Sequence, residues 1–376
     1  MDKTEHTNFD NLNIDQNILK GLYLYGFKKP SDIQIRGIKS INTGKDCIIQ
    51  SQSGTGKTAT YLLGVINNIM MNKKNMALII TPTRELAKQV YTVAVSICKY
   101  SDITISLCVG GTEIINHHDN IIIGTVGRIQ HMINIKKINI QNVTIFVLDE
   151  ADNMVNEKED ECLKSVIKNI PQTAQKIVIS ATLTSFVFQL TDTIMFEPIK
   201  ILLKNINVVV DVISQFYVDV EVEDNKFDVL IDLYNLISTT QAIIFCNTIS
   251  KVTWLAENLK AKNFSITTIH GKMDQTERND IVQEFREGKT RLLLTTDLLA
   301  RGIDVPQVNL VICYDMPPDK ETYIHRIGRC GRFGKKGVSI SFIKMMDPYD
   351  TRLLTKMKQS YKIDICELPD NINEYL

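Results

Sequence analysis

The sequence predicts an α/β protein with two domains in tandem, each a parallel β-sheet flanked by helices, joined by a short linker. The chain has 376 residues, of which 44% are apolar, enough for two buried cores of ordinary size. From Cys47 onward, short apolar runs alternate with amphipathic segments of helix length, which is typical of a parallel sheet covered on both faces. The alternation stops at LKNINVVVDVIS and then restarts. We therefore expect an N-terminal domain at residues 1–203, a linker at 204–214 and a C-terminal domain at 215–376.

In the first half, the predicted strands are the apolar runs CIIQ, MALIIT, SLCVGG, IIIGT, VTIFVLDE and KIVISAT. Between them, TATYLLGVINNI and the segment that opens at TRELAKQV have the length and apolar spacing of helices. In the second half, the alternation is repeated by QFYVDVEV, FDVLIDLYNLI, AIIFCNT, a helical KVTWLAENLK, SITTIHG, RLLLTTD, NLVICYD and GVSISFI. A parallel sheet delivers its functional groups at the ends of its strands, so the polar strings after these runs are the candidates for chemistry.

The composition excludes several classes of protein. The 43 basic residues balance the 43 acidic ones, so any contact with nucleic acid has to be local. The eight cysteines include no Cys-x-x-Cys pair, which argues against a zinc site or a disulfide framework and indicates reduced, mostly buried thiols. Neither a signal segment nor a membrane-spanning run is present in the sequence. We expect a cytoplasmic protein that does not bind membranes.

The string SQSGTGKT, residues 51–58, has the composition of a phosphate-binding loop. Its glycines allow the backbone to curl so that N–H groups point at phosphate oxygens. Lys57 would supply charge to the outer phosphates, and Thr58 a hydroxyl for Mg²⁺. Ser51 stands where the general pattern has glycine, and the alternative is an ordinary turn from strand to helix. As a nucleotide site, the loop would use Ser53, Gly54, Thr55, Gly56, Lys57 and Thr58.

The strand VTIFVLDEAD ends in a group of carboxylates. Together with a phosphate loop, this group predicts that Asp149 holds Mg²⁺, with Glu150 orienting or deprotonating the attacking water. The alternative is a solvated acidic loop. The predicted metal ligands are therefore Thr58 and Asp149.

These motifs occur with GFKKPSDIQ, PTRELA, the Gly110-Gly111 pair, SAT, TTDLLARGIDVP and YIHRIGRCGR, in an order and spacing that resembles the DEAD-box RNA helicases. The resemblance covers nearly the whole chain and implies two RecA-like domains. YGFKKPSDIQ, IIFCNT, DVPQV and the lack of extensions are most similar to the members of the family that act in translation initiation. The resemblance implies an ATP hydrolase whose cofactors are ATP and Mg²⁺.

The resemblance also implies a site that recognises adenine, formed by Phe9, Phe27 and Gln34. Phe27 would stack on the base, and the Gln34 amide would pair with its N6 and N7 positions, where guanine's O6 would oppose it. The alternative for Gln34 is a structural role at a helix end. Asp304 would contact the ribose, and His325 would join the network around the γ-phosphate.

In the family, Arg329 and Arg332 of the second half act as arginine fingers. Three positions apart, they would share a face on a helical turn. Such a group is worth about 10³ to 10⁵ in rate, whereas a plain surface arginine would stabilise the protein by well under about 1 kcal/mol. Ser180 and Thr182 of SAT would couple the acidic motif to the second domain, although a strand end of small residues is the alternative.

RNA is the implied partner, gripped through its backbone and 2′-OH groups without reading of bases. The matching positions are Pro82, Thr83, Arg84, Glu85, Gly110, Gly111, Thr125, Gly127, Arg128, Asn247, Gly271, Arg278 and Thr295. Taken alone, Arg84 and Arg128 would be solvated charges at helix ends. His117 and His118 suggest a metal, but two adjacent histidines without further ligands are more typical of a solvated turn, and we assign no metal to them.

The sequence departs from the family pattern in three places. Val126 replaces the proline of TPGR, and Cys330 stands where Ser or Thr is usual. The interval from Gly111 to Thr125 is short, which predicts a weaker grip on RNA near Gly110.

The leading hypothesis is an RNA-dependent ATPase that closes its two domains on RNA and locally opens short duplexes, in translation initiation or mRNA metabolism. It would act as a monomer, stimulated or targeted by protein cofactors. An ATP-gated RNA clamp or scaffold is the alternative, because its catalytic residues would be identical. A processive DNA translocase is disfavoured by GFKKPSDIQ and by the absence of accessory domains.

Overall fold

The computed structural model describes residues 8–51, 55–111, 119–155, 161–202, 213–237, 241–297, 308–331, 337–361 and 363–376. The chain divides into two compact units, residues 1–204 and 205–376. Each unit contains a parallel sheet with seven strands among the described residues, and helices flank both sheets. The predicted fold class is confirmed. Most of the predicted linker, like His117 and His118, lies outside the described residues.

The first sheet has the strand order β3-β4-β2-β5-β6-β1-β7. Its strands are β1 Cys47–Gln50, β2 Ala77–Thr81, β3 Ile105–Cys108, β4 Ile121–Thr125, β5 Ile145–Leu148, β6 Gln175–Ser180 and β7 Ile199–Leu202. Its helices are α1 Gln16–Tyr25, α2 Asp32–Ile41, α3 Lys57–Met71, α4 Arg84–Ile97, α5 Val126–Asn134, α6 Ala151–Met154, α7 Glu161–Asn169 and α8 Ser185–Ile194. Short 3-10 helices lie at Phe9–Leu12, Cys98–Tyr100 and Ile140–Asn142.

The second sheet has the order β10-β11-β9-β12-β13-β8-β14, which matches the first sheet strand for strand, from β1 and β8 to β7 and β14. Its strands are β8 Ile213–Asp219, β9 Ala242–Phe245, β10 Ile266–Ile269, β11 Leu292–Thr295, β12 Leu310–Cys313, β13 Gly337–Ile343 and β14 Cys366–Glu367. Its helices are α9 Lys226–Leu236, α10 Ile249–Ala261, α11 Gln275–Arg286, α12 Lys320–Ile327 and α13 Pro348–Tyr361, with 3-10 helices at Glu223–Asn225 and Ile372–Glu374.

Both faces of each sheet are buried. In β2, Leu78 and Ile80 belong to one apolar cluster and Ile79 belongs to another, because alternate side chains of a strand point to opposite faces. In β12, Val311 is separated from Ile312 in the same way. This double burial is the reason that the strands are nearly continuous apolar runs in the sequence.

Six of the eight cysteines are buried, as predicted; Cys162 is half-buried and Cys366 is exposed. All eight are free thiols. Among the described helices, none combines the length and the apolarity needed to cross a membrane.

Candidate nucleotide and RNA site

The phosphate loop joins β1 to α3 at the carboxyl edge of the first sheet. Ser51 is buried after β1, and α3 begins at Lys57. Gly56 has a φ of 93°, a left-handed conformation that glycine adopts without strain. A Cβ atom at Gly56 would lie 2.5 Å from Nε2 of Gln34, so a side chain here would displace the Gln34 amide. Ser53 and Gly54 lie outside the described residues.

Lys57 lies at the first position of α3, where its ammonium donates a hydrogen bond to the backbone carbonyl of Ser51. The hydroxyls of Ser51 and Thr55 are also hydrogen-bonded to each other. The lysine is therefore folded back over its own loop, next to the N-terminus of a helix. Both the helix N-terminus and the ammonium favour a bound anion there.

Gln34 connects α2 to the phosphate loop. Its Oε1 atom accepts the Ser31 N–H at 2.8 Å, which completes a capping box, and its Nε2 atom lies 3.5 Å from the Gly56 carbonyl oxygen. The Ser31 hydroxyl donates to the Thr55 carbonyl oxygen at 3.0 Å. The structural role that the sequence left open for Gln34 is thus present, and its contact with adenine stays a prediction.

Phe27 is half-buried and lies between two other aromatic rings. The Phe9 ring meets it edge-on, with the centroids 6.2 Å apart, and the Tyr25 ring stacks on it at 5.7 Å. Phe9 is fully buried in the apolar core, where it supports the Phe27 ring. The assignment of Phe9 to the nucleotide site stays a prediction.

Asp149 follows β5 directly and is only 2% exposed. Its Oδ2 atom accepts the Tyr61 hydroxyl at 2.8 Å, and its Oδ1 atom accepts the Glu150 N–H at 2.9 Å. Burial, followed by the charge of Glu150, raises the pKa of Asp149 to about 6, although the nearby Lys57 ammonium opposes the rise. A buried carboxylate whose hydrogen-bond donors are neutral favours the approach of a cation.

Glu150 has a φ of 51°, which is a strained backbone conformation for a residue with a side chain. It is 8% exposed, and its Oε2 atom accepts a hydrogen bond from the Asn153 amide at 2.8 Å. Such backbone outliers concentrate at functional sites, which favours a catalytic role over a solvated acidic loop.

The acidic motif is tied to the end of β6 through Asp152, whose role the sequence did not reveal. Its Oδ2 atom accepts the N–H of Thr182 at 3.0 Å and the hydroxyl of Thr182 at 2.8 Å. The Ser180 hydroxyl donates to the Thr182 carbonyl oxygen at 2.6 Å and accepts the Asp152 N–H at 3.2 Å. Because β5 and β6 are neighbours in the sheet, these hydrogen bonds link the two motifs directly.

The residues predicted to contact RNA in the first unit lie at the ends of β2, β3 and β4, which are neighbours in the sheet. Thr83 caps α4 by accepting the Leu86 N–H at 3.2 Å. A Cβ atom at Gly110 would lie 2.4 Å from a terminal nitrogen of Arg84, so the glycine allows the guanidinium to pass close to the backbone. The structure thus brings PTRELA and the glycine pair together; Thr125, Gly127 and Arg128 follow at the end of β4.

In the second unit, His325 lies on α12 and is 1% exposed, and Arg329 follows the helix and is 4% exposed. Nε of Arg329 donates to the His325 carbonyl oxygen at 3.2 Å. The helix ends at Ile327, and tight turns continue the chain, so Arg329 is not on a regular helix. Arg332 and Asp304 lie outside the described residues. Whether Arg329 and Arg332 share a face therefore stays a prediction.

Arg326 is a buried residue that the sequence analysis missed. Its guanidinium donates to both carboxylate oxygens of Asp297, at 2.6 and 2.7 Å, and to the Asp315 carbonyl oxygen at 2.6 Å. It also donates to Oδ1 of Asn247 at 2.6 Å, and Nδ2 of Asn247 donates to the Met316 carbonyl oxygen at 2.8 Å. The Asn247 amide is therefore engaged inside the protein at both ends.

Thr295 is fully buried, and its hydroxyl donates to the Thr296 carbonyl oxygen at 3.0 Å. The predicted contact of Thr295 with RNA stays a prediction. Gly271 is exposed after β10, and Arg278 is half-buried on α11. The candidate RNA residues of the second unit thus comprise exposed, half-buried and internal positions.

The donor set of the first unit fits magnesium. Among the described residues, no group of three or more His, Cys, Asp or Glu side chains could hold a metal by itself. Mg²⁺ typically keeps several waters and takes one or two carboxylates together with substrate phosphates. Asp149 and Thr58, next to a phosphate loop, suit that preference.

Two family descriptions match the chain: DEAD/DEAH box helicase at residues 31–190, and helicase conserved C-terminal domain at residues 225–334. The chain is 44% identical to the ATP-dependent RNA helicase eIF4A of Chaetomium globosum over 375 residues, which cover 98% of this chain and 94% of that protein. Dbp5 of S. cerevisiae bound to RNA and ADP BeF3 matches with a TM-score of 0.90 at 36% identity, over 97% of this chain and 96% of that one. A complex of S. cerevisiae Dbp5 with Gle1 and IP6 matches with a TM-score of 0.79 at 35% identity, over 96% and 94% of the two chains.

Proposed function

Because the chain belongs to the DEAD-box family of ATP-dependent RNA helicases, which hydrolyse ATP, we propose that RNA-stimulated hydrolysis is coupled to closure of its two domains. Closure would bend one strand of a short RNA duplex, so that unwinding is local and non-processive. The observation that carries the proposal is the edge of the first sheet, where Lys57, Asp149 and Glu150 converge beside the phosphate loop.

In the proposed mechanism, Phe27 stacks on adenine and Gln34 pairs with its edge. The backbone of the phosphate loop and the Lys57 ammonium hold the outer phosphates. Thr58 and Asp149 would hold Mg²⁺, which when bound would supply positive charge beside the phosphates. Glu150 orients the attacking water, consistent with a carboxylate fixed by Asn153 in a strained turn.

The second domain supplies the positive charge that the first one lacks on the outer face of the phosphoryl group. In this proposal Arg329 and Arg332 are the fingers, His325 joins the network around the γ-phosphate, and Asp304 contacts the ribose. Because the fingers and the phosphate loop are on different domains, turnover depends on closure. The links from Asp152 to Ser180 and Thr182 connect the acidic motif to the coupling motif.

We propose that groups of both domains contact the sugar-phosphate backbone of RNA. In this proposal, the two domains are residues 1–203 and 215–376, and the linker between them is residues 204–214. The resemblance to eIF4A supports a role in translation initiation or mRNA metabolism, in the cytoplasm. The similarity to Dbp5, which has been seen in complex with Gle1, supports the use of protein cofactors that stimulate or target the enzyme.

The test is ATP turnover by the purified full chain with and without single-stranded RNA, beside separation of a short RNA duplex by the same preparation. We expect RNA to raise turnover and ATP to be required for strand separation. A matched 2′-deoxy oligonucleotide should stimulate less, since the grip uses 2′-OH groups. Turnover that does not respond to RNA would contradict the coupling, and RNA-stimulated turnover without strand separation would favour the clamp.

A further inference from the structure

Tyr61 lies inside the nucleotide site, although no sequence motif assigns it there. It is on α3, four positions after Lys57 and three after Thr58, so these residues share one face of the helix. The side chain is fully buried. Its hydroxyl donates to Oδ2 of Asp149 at 2.8 Å, and the Thr58 side chain is hydrogen-bonded to the same hydroxyl.

This geometry points to Tyr61 as a positioning residue of the magnesium site, whose hydroxyl fixes Thr58 and Asp149 relative to each other. The inference rests on the proposed function, because these two residues are its metal ligands. Tyr61 does not touch the metal in this account. It acts through the side chain that it orients, as partners of metal ligands commonly do.

The hydrogen bonds of Asp149 leave room for this role. A carboxylate can accept about four hydrogen bonds or coordination bonds, and here the Tyr61 hydroxyl and the Glu150 N–H take one on each oxygen. Each oxygen therefore keeps a free direction. Because both donors are neutral, they hold the side chain in place without cancelling the charge that attracts a cation.

Burial makes the tyrosine hard to replace. With the side chain fully buried, removal of the hydroxyl leaves Oδ2 without this donor. The carboxylate and the Thr58 hydroxyl would then lose their common partner and sample more orientations. Removal of the hydroxyl would therefore cost the pre-ordering of the two metal ligands, whereas the ring would still pack against the core.

The alternative is that Tyr61 is a core residue whose hydroxyl makes a purely structural hydrogen bond. The two roles differ in their response to magnesium. A purely structural hydroxyl would change the melting temperature and leave the magnesium requirement unchanged. A positioning hydroxyl changes the magnesium concentration at which nucleotide binds tightly.

The experiment compares the full chain with its Tyr61→Phe variant and with Tyr23→Phe as the matched control. Tyr23 also donates its hydroxyl to a carboxylate, that of Asp10, in the same unit. A fluorescent ADP analogue is titrated at a series of Mg²⁺ concentrations. We expect Tyr61→Phe to raise the Mg²⁺ concentration for half-maximal tight binding by about tenfold, with the affinity in EDTA unchanged. Tyr23→Phe should behave as the wild type.

An unchanged magnesium requirement in a folded Tyr61→Phe variant overturns the inference alone. If nucleotide binding by the wild type ignores Mg²⁺, the proposed metal site fails, and the inference fails with it. In a double-mutant cycle, Tyr61→Phe should have little further effect on the magnesium requirement when Asp149→Asn is already present. Independent effects of the two changes would overturn the idea that Tyr61 acts through Asp149.

Carbon-13 NMR of wild-type protein labelled at tyrosine Cζ covers the case in which Tyr61→Phe does not fold. Mg²⁺ added to the nucleotide-bound protein should shift one buried tyrosine signal in the wild type and none in Asp149→Asn. The absence of any such shift in the wild type overturns the inference.

Discussion

The two sheets have the same strand order, yet the buried carboxylates that follow two equivalent strands have different partners. Strands β5 and β12 occupy equivalent positions; Asp149 is the first residue after β5 and Asp315 the second after β12, and they are 2% and 9% exposed. Asp149 is met by a phenol hydroxyl and a peptide N–H. Asp315 also accepts a peptide N–H, that of Asn247 at 3.0 Å, but its other partners are the ammonium groups of Lys226, at 3.0 Å, and Lys251, at 3.5 Å.

The lysines at the helix starts differ in the same sense. Lys57 begins the helix after β1, and Lys226 begins the helix that lies between β8 and β9. Lys57 donates to the Ser51 carbonyl oxygen of its own loop, whereas Lys226 is 3% exposed and pairs with both Asp315 and Glu223 at 3.0 Å. In the second unit, charges that could bind a ligand neutralise each other instead. Two domains with the same fold therefore need not have the same binding site, because a site requires charged groups that are not already paired within the protein.

The largest effect should follow from removing an arginine of the second unit that we propose as a finger. Arg329→Ala should lower the rate of RNA-stimulated ATP hydrolysis by about 10³ or more, because a finger stabilises the transition state, with only a modest change in nucleotide affinity. Steady-state kinetics and nucleotide titration measure the two quantities. Arg352→Ala, at an exposed arginine of the same unit, is the control. A loss of less than about tenfold would contradict the assignment of Arg329 as a finger.

The next prediction compares two variants, each with methionine in place of one of the two lysines at the helix starts. Lys226→Met should lower the free energy of unfolding of the second unit by about 3 kcal/mol, because the buried Asp315 carboxylate then keeps only the more distant Lys251 ammonium and the neutral Asn247 N–H. Lys57→Met should change unfolding by less than about 1 kcal/mol and abolish tight ATP binding. Urea unfolding and nucleotide titration of both variants provide the measurements. If the two variants were equally destabilised, the contrast between the units would be lost.

The difference between the units also explains what the sequence could predict. The glycine-rich loop with Lys57, and the carboxylates that begin at Asp149, are local strings at strand ends, and their positions follow from the alternation of strands and helices. Tyr61, Asp152 and Arg326 were missed because their partners are 88, 30 and 29 positions away in the chain. Tyr61 occurs inside an apolar helical run, where it is indistinguishable from a core residue. Such pairs come together only when the sheet and its helices are assembled in the folded unit.

A smaller effect should separate the two roles of Gln34. Gln34→Ala removes both the proposed contact with adenine and the capping oxygen of α2, so we expect about a tenfold loss of preference for ATP over GTP, with stability lower by about 1 kcal/mol. Ser31→Ala removes the other side chain of the capping box and should lower stability without changing the preference. Competition of ATP and GTP for a fluorescent ADP analogue, with thermal melts, measures both. An unchanged preference in Gln34→Ala would count against the base contact.

The smallest effect concerns the pH dependence of stability that arises from the paired lysines of the second unit. Burial opposes ionisation of Glu223, but hydrogen bonds from Lys251 and Lys226 outweigh it and lower the pKa of Glu223 to about 2. A carboxyl whose pKa is lower in the folded state stabilises the fold above its unfolded pKa of about 4.5, and this stabilisation is lost as the pH falls toward the folded value. Because the side chain is 42% exposed, solvent screening limits the contribution to about 1 kcal/mol.

Glu223→Gln should therefore lower the free energy of unfolding by about 1 kcal/mol near neutral pH, and the difference from wild type should shrink between about pH 5 and pH 3. Urea unfolding of both proteins across this range measures it, with Glu257→Gln as the control at an exposed position of the same unit. A difference that stayed constant with pH would mean that the carboxylate charge does not stabilise the lysine network. The charge contrast between the second unit and the phosphate loop would then rest on Asp315 and not on Glu223.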